Sequence, residues 1–335
     1  MPVELRRGGL VLQGTPLWFD ARTKSPVAFV SHAHSDHIAR HEHVIATPET
    51  LALMEHRLGP LEHTTPLKYG ETMHLEGAVP HPSASPQGAL QLECFSAGHV
   101  FGSAQIRVTR HDGHRVVYTG DISLEPALTS EPAQILECET LVIESTFGHP
   151  RYRFPPRAQV YDDVAAWCRK QLDKGVRPIL LAYSLGKSQE TIRQLAVRGF
   201  RICAHPTIHA VGAVYERLGM PVGARCFDGQ FEGDEVGLFP PFRRGDSLTG
   251  TGPRSLAVLT GWAVEPWGAR RSGADIAFPV SDHADFPSLL TLAEKSKARE
   301  VITIHGFADE LADALRRRKI FARAVHEQVQ MALPL

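Results

Sequence analysis

The chain has 335 residues, 43% of them hydrophobic, enough to bury one large core or two and too apolar for an intrinsically disordered polymer. Its 36 Lys and Arg balance 37 Asp and Glu, which excludes capture of a polyanion by overall charge; any nucleic-acid contact has to come from local basic patches. Five cysteines without a Cys-x-x-Cys pair fit reduced thiols, and neither an 18-residue apolar run nor a signal-peptide core is present, so a cytoplasmic protein without membrane association is expected.

Up to about Ser145 the pattern predicts short strands separated by turns, at residues 9–12, 17–19, 27–30, 90–95, 105–109, 115–118 and 141–143, with one helix over 48–58. Residues 77–88 carry three prolines and read as a loop that cannot be a central strand. After Pro150 helix and strand alternate: helix 157–173, strand 179–182, helix 188–197, strand 202–204 and a helix up to 218, a pattern that implies a parallel sheet with crossover helices. Residues 221–254, rich in Gly, Pro and Arg, read as irregular connection. Elements resume at Ser255 and end with strand 301–304, helix 309–318 and a strand near 322–325.

The chemistry begins directly behind the apolar run Val27-Ala28-Phe29-Val30, where Ser31-His32-Ala33-His34-Ser35-Asp36-His37 packs four ligand-type residues into six positions. In an extended segment alternate side chains share a face, so His32 and His34 can meet one ion while Asp36 and His37, beyond the bend, meet a second. A single histidine among the 18 here would be an ordinary core or surface residue; four such groups together are a metal site. Imidazole and carboxylate donors without thiolate suit zinc, with manganese or iron as alternatives, in an open catalytic site.

Further donors stand at strand ends: His99 after Gly98, Asp121 after Gly120 and His305 before Gly306. Glycine at such a point lets the backbone bend or approach an ion closely. The set fits two metals, with His32, His34 and His99 around one, Asp36, His37 and His305 around the other, and Asp121 bridging. Two ions roughly 3.5–4 Å apart can acidify a water and neutralise the charge that develops in an in-line displacement, which makes hydrolysis the natural reaction.

These motifs resemble the metallo-β-lactamase superfamily, whose H-x-H-x-D-H signature matches His32-Ala33-His34-Ser35-Asp36-His37, followed in order by His99 and Asp121. Within it the chain is similar to the nucleic-acid-processing β-CASP branch, and most to bacterial exonuclease-like proteins described as DNA-ligase-associated or as mRNA 3′-end processing factor-like. The strings that carry this resemblance run from Asp20 to about Phe307: Ser96-Ala97-Gly98-His99-Val100-Phe101-Gly102-Ser103-Ala104, Glu144-Ser145-Thr146-Phe147-Gly148, Tyr183-Ser184-Leu185-Gly186-Lys187-Ser188-Gln189-Glu190, Ser281-Asp282-His283-Ala284-Asp285-Phe286 and Ile304-His305-Gly306. The resemblance implies an αββα sandwich built from residues 1–149 and 275–335, interrupted by a reduced β-CASP-like α/β cap at 150–274. It implies that Asp20 orients the metal-binding loop from behind the ligands, and that His283, held by Glu144, donates a proton to the leaving oxygen. The implied cofactors are two Zn2+ (Mn2+ or Fe2+ as alternatives).

The implied activity is that of a two-metal phosphodiesterase, an exonuclease trimming DNA ends in repair beside a ligase. RNA 3′-end processing is the alternative, since His305 at the third β-CASP motif matches the RNA-processing members. A small-molecule thioester or lactam hydrolase would use the same donors but leave the insert and His283 idle, and a catalytically silent binding module would not need the full donor set. Gly186-Lys187-Ser188 is not a P-loop, because Leu181 stands where the motif needs glycine; at a helix start, Ser184 and Lys187 could instead grip a backbone phosphate. The basic pairs Arg243-Arg244 and Arg270-Arg271 could track a strand, 316–319 reads as a solvated helix end, and Trp18, Phe101, Trp262 and Trp267 could stack bases, with Asp285 expected to cap a helix.

Overall fold

A computed structural model of the protein describes residues 2–81, 89–241, 252–265, 268 and 273–326. The two arginine pairs and Trp267 lie outside them.

Strand Val27–Phe29 shows how the layers arise. All three residues are buried, because Val27 and Phe29 face one neighbouring layer while Ala28, with Val30, faces another. A strand covered on both sides reads as a continuous apolar run rather than an alternating one. It belongs to a six-stranded sheet whose spatial order follows the chain: Val3–Arg6, Gly9–Leu12, Leu17–Phe19, Val27–Phe29, His43–Ala46 and Thr64–Pro66. The first three strands are antiparallel and the rest parallel.

An eight-stranded sheet faces it, in the order Ala322–Val325, Glu300–Ile304, Thr140–Glu144, Arg115–Tyr118, Ala104–Thr109, Leu90–Ser96, Thr72–Glu76 and Val79–His81. Leu90–Ser96 alternates buried and half-buried residues along its length, as a period-two strand with one core face should. The core between the sheets gathers Leu12, Leu17, Phe19, Phe29 and Ile45 from the first with Leu92, Ile106, Val116, Tyr118, Val142 and Ile302 from the second. Behind the second sheet lie helices Phe286–Lys295 and Ala308–Arg317, burying Leu289, Leu292, Leu311 and Leu315 against Leu141, Ile143 and Val301. Helix Pro48–Leu58 covers the outer face of the first sheet with Leu51, Leu53 and Met54. The result is the αββα sandwich.

A third sheet is wholly parallel, in the order Arg225–Cys226, Ile202–Ala204, Val236–Phe239, Arg177–Leu181, Arg254–Leu259 and Ile276–Phe278. Helices Arg157–Leu172, Lys187–Ala196 and Pro206–Arg217 pack on one face of it, and their apolar residues run into the cluster beneath Pro48–Leu58. No helix among the described residues is long and apolar enough to cross a membrane.

Two expectations need correction. Residues 221–254 are not merely connection, because Val236–Phe239 is a fully buried strand in the interior of the third sheet. Val236-Gly237-Leu238-Phe239, closed by Pro240-Pro241, is too short to show a period. Residues 77–88 include strand Val79–His81, which accommodates Pro80 because it pairs on one side only, at the edge of the eight-stranded sheet.

Candidate metal centre

The donors collect at one edge of the sandwich, where the strands ending at Phe29, Ser96, Tyr118, Glu144 and Ile304 all deliver their carboxyl ends. His32, His34, Asp36 and His37 follow the first of these, His99 the second, Asp121 the third and His305 the last. The His99 loop is anchored from below: Thr47, whose hydroxyl oxygen accepts from the Thr50 N–H at 3.1 Å to cap helix Pro48–Leu58, donates to the Gly102 carbonyl at 2.6 Å. Gly120 lets the third strand close on the first. Its φ is +55°, and a Cβ there would stand 2.4 Å from the Ser31 Cβ, so only glycine brings Asp121 this near the histidine loop. Asp20 and His305 also take left-handed backbone, at φ +43° and +62°, an uncommon conformation for residues with a side chain.

His32 Nε2 and His34 Nδ1 are 3.0 Å apart, and His34 Nδ1 and His99 Nε2 3.2 Å. Asp121 Oδ2 lies 3.5 Å from His32 Nε2 and 3.7 Å from His99 Nε2. Four donors at about 2.0–2.1 Å from one tetrahedral ion would stand about 3.3 Å from each other. Each ring's far nitrogen has a partner that fixes its tautomer. His34 Nε2 donates to the Leu185 carbonyl at 3.1 Å and His99 Nδ1 to the Asp282 carbonyl at 2.8 Å. The Ser31 hydroxyl gives its proton to Asp20 at 2.5 Å, so at 2.9 Å it receives one from His32 Nδ1. Three lone pairs therefore point at a common centre about 3 Å apart. They cannot hydrogen-bond each other, and a cation is what satisfies them.

Electrostatics agree. Burial, with the neighbouring imidazoles, lowers His32 and His99 well below the usual histidine range, and burial takes His34 down to about 4, so all three are neutral, the ligating form. His37 differs. Burial opposes its charge, yet Asp121, Asp20 and Asp36 raise it to about 10, a measure of the negative potential gathered there. Its Nδ1 donates to Asp20 at 2.8 Å, and its Nε2 faces Asp121 Oδ2 at 3.5 Å and Asp36 Oδ2 at 3.8 Å. The His305 ring stands 5.9 Å from the His37 ring. Asp121 thus sits between the tight first group and His37; among the described residues Asp36 and His305 fall into no group of three or more donor atoms within 4.8 Å of one another. Asp20 is saturated: besides His37 it accepts from the Ser31 N–H, the Ser31 hydroxyl and, at 2.7 Å, the Tyr118 hydroxyl. With His32 and His37 it also forms a group of donor atoms within 4.8 Å of one another.

Beside the first group, His283 Nδ1 lies 3.0 and 3.1 Å from the two oxygens of Glu144, and 4.0 Å from Asp121. Glu144 is fully buried and also accepts from the Ile122 and Thr146 N–H groups. Burial would lower His283, but Glu144 and Asp121 raise it to about 9. Asp285 caps helix Phe286–Lys295 through the Ser288 N–H at 3.0 Å. Ser184 is half-buried beside Thr207, whereas Lys187 is buried and ion-paired with Asp282 at 3.1 Å. Phe101 packs on Tyr215 and Trp262 on Phe147, while Arg316 and Arg318 pair with Asp313 and Glu294 at the surface. Ser31, Tyr118, Leu185 and Asp282 are partners of the site that the sequence reading did not assign. Ser31, Leu185 and Asp282 stand inside the motif strings; the Tyr118 contact depends on tertiary structure and leaves no local signal.

No family model matches the chain. It is 38% identical over 333 residues to a protein named probable DNA ligase from Opitutus terrae, a match covering 97% of this chain and 31% of that protein. It is 30% identical over 190 residues to RNase aCSPSF2 from Saccharolobus solfataricus, covering 51% of this chain and 38% of the relative. The chain therefore spans well under half the length of these curated relatives. The crystal structure of a protein of unknown function from Enterococcus faecalis shares the fold, with a TM-score of 0.57 at 13% identity over 90% of this chain and 79% of that one.

Proposed function

The chain belongs to the β-CASP nuclease branch of the metallo-β-lactamase superfamily, and on that premise we propose that it is a metal-dependent phosphodiesterase that hydrolyses the nucleic-acid backbone. The observation that carries the reading is the set of three buried imidazole lone pairs converging with Asp121 beside the His283–Glu144 pair. His32, His34, His99 and Asp121 would hold one divalent cation; Asp36, His37 and His305 would share Asp121 to hold a second, both zinc by the chemistry of the donors. When bound, two such ions supply Lewis acidity, acidifying a water and neutralising charge on phosphoryl oxygens.

The chain's own residues do the rest. Glu144 fixes the His283 ring through Nδ1 and keeps it protonated near neutral pH, leaving Nε2 to deliver a proton to the departing oxygen. Asp20 holds His37 and, through Ser31, His32. The third sheet, from Arg177 to Phe278, and its three helices form a cap that walls the cleft, offering Ser184 near a helix start as a phosphate contact. Lys187, held by Asp282, serves the site in another way.

The 38% identity, over 97% of this chain, to a protein named probable DNA ligase supports trimming of DNA ends beside a ligase, and the match to a named RNase supports an RNA substrate. End-labelled single- and double-stranded DNA and RNA, incubated with metal-loaded protein beside an Asp36→Ala/His37→Ala control, decide between them. We expect stepwise shortening of DNA that the control lacks. Shortening of RNA alone would move the proposal to RNA processing, and inertness toward all four, with turnover of a small thioester, would refute it.

A further inference from the structure

The ion pair between Lys187 and Asp282 has both partners largely buried, with side-chain exposures of 6% and 12%. It joins the first residue of helix Lys187–Ala196 to the residue before His283. Breaking such a pair on one side leaves an uncompensated buried charge.

Asp282 meets the metal centre twice. Its main-chain carbonyl accepts from His99 Nδ1 and so aims the His99 Nε2 lone pair inward. Its carboxylate lies close enough to His99 and His283 that the three form a cation-holding group of their own, with donor atoms all within 4.8 Å. A free carboxylate at that spot would be a competing ligand, or would draw His283 away from Glu144. The Lys187 ammonium occupies it instead, backed by the Tyr183 ring 5.4 Å away. Burial works against an ionised Asp282, yet Lys187 foremost, then His99 and His283, keep it charged well below the ordinary carboxylate range. The same turn supplies the Leu185 carbonyl that fixes His34.

We propose that Lys187 is a positioning residue whose ammonium holds the Asp282 carboxylate off His99 and His283, so that Asp282 acts on the centre only through its main-chain carbonyl. This rests on reading His32, His34, His99 and Asp121 as cation ligands.

The test loads Co2+ into the parent, Lys187→Met, Asp282→Asn and the double variant, and records the ligand-field absorption bands together with turnover on an oligonucleotide. Freed in Lys187→Met, the carboxylate changes the cobalt bands, and turnover falls about 10–100-fold, the usual effect of losing a group that orients a ligand. In the double variant the charge is gone, and both the parent's bands and most of the turnover return. Loss of packing alone would not be repaired by a second substitution. Parent-like bands in Lys187→Met, or a double variant no better than Lys187→Met, would overturn the proposal. A parent that takes up no Co2+ would overturn the reading of the ligand cluster itself, a separate and earlier failure. Should Lys187→Met fail to fold, Lys187→Gln, which can still donate one hydrogen bond to the carboxylate, carries the same comparison with an intermediate change in the bands expected.

Discussion

His283→Ala lowers turnover on an end-labelled oligonucleotide by about 10²–10⁴-fold while metal content stays at the parent's value, and it lowers the unfolding temperature because the buried Glu144 carboxylate loses its charged partner. The separation follows from where the ring's contacts go. Nδ1 is spent on Glu144 and stands 4.0 Å from Asp121, so its removal takes nothing from the cluster of His32, His34, His99 and Asp121. Glu144 keeps the Ile122 and Thr146 N–H groups, which hold the carboxylate in place but do not neutralise its buried charge, so the variant is less stable while its donor cluster is intact. The effect on rate is large because departure of an alkoxide without a proton is slow, and the nearby Lys187 is committed to Asp282. Metal content measured by mass spectrometry and turnover measured in parallel check it. Unchanged turnover would remove His283 from the chemistry, and lost metal would make it a ligand.

Asp121→Ala has the opposite signature, with metal uptake and turnover lost together. Its Oδ2 lies 3.5 Å from His32 Nε2, 3.5 Å from His37 Nε2 and 3.7 Å from His99 Nε2, which makes it the carboxylate common to both donor groups. Burial, with Glu144 nearby, raises Asp121 to about 6 even though His37 opposes the shift, so it is an ionised but strained anion near neutral pH. Removing it leaves histidine lone pairs facing each other with no negative charge to offset a cation. Metal content is expected to fall from two ions per chain to one or none, and turnover by about 10⁴-fold or more, toward the uncatalysed rate. Retention of two ions would show that Asp121 does not bridge.

The sandwich and the tight donor group were legible in the sequence for different reasons. The first six metal-ligand candidates fall at strand ends within the first 121 residues, where apolar runs such as Val27-Ala28-Phe29-Val30 end abruptly in polar, glycine-marked turns. Structure brings them together because those strands run the same way, which a run-by-run reading cannot show but a shared edge enforces. Val236–Phe239 escaped because a four-residue buried strand carries no period, and Val79–His81 because proline argues against strands everywhere except at an edge. Lys187 read as a phosphate contact at a helix start; its partner stands 95 positions away, and only packing of the insert against the His283 loop pairs them. Asp20 was singled out through the family resemblance alone; its four hydrogen bonds, to Ser31, His37 and Tyr118, come from three separate segments that no local pattern links.

The account's central claim is that seven side chains from His32 to His305 form a paired-cation pocket. Anomalous diffraction at the zinc edge from metal-loaded crystals tests it most directly. The account predicts two peaks roughly 3.5–4 Å apart, one within bonding distance of His32, His34 and His99, the other of Asp36, His37 and His305, with Asp121 reaching both. A single peak, or two with His305 or Asp121 out of bonding reach of both, would contradict it.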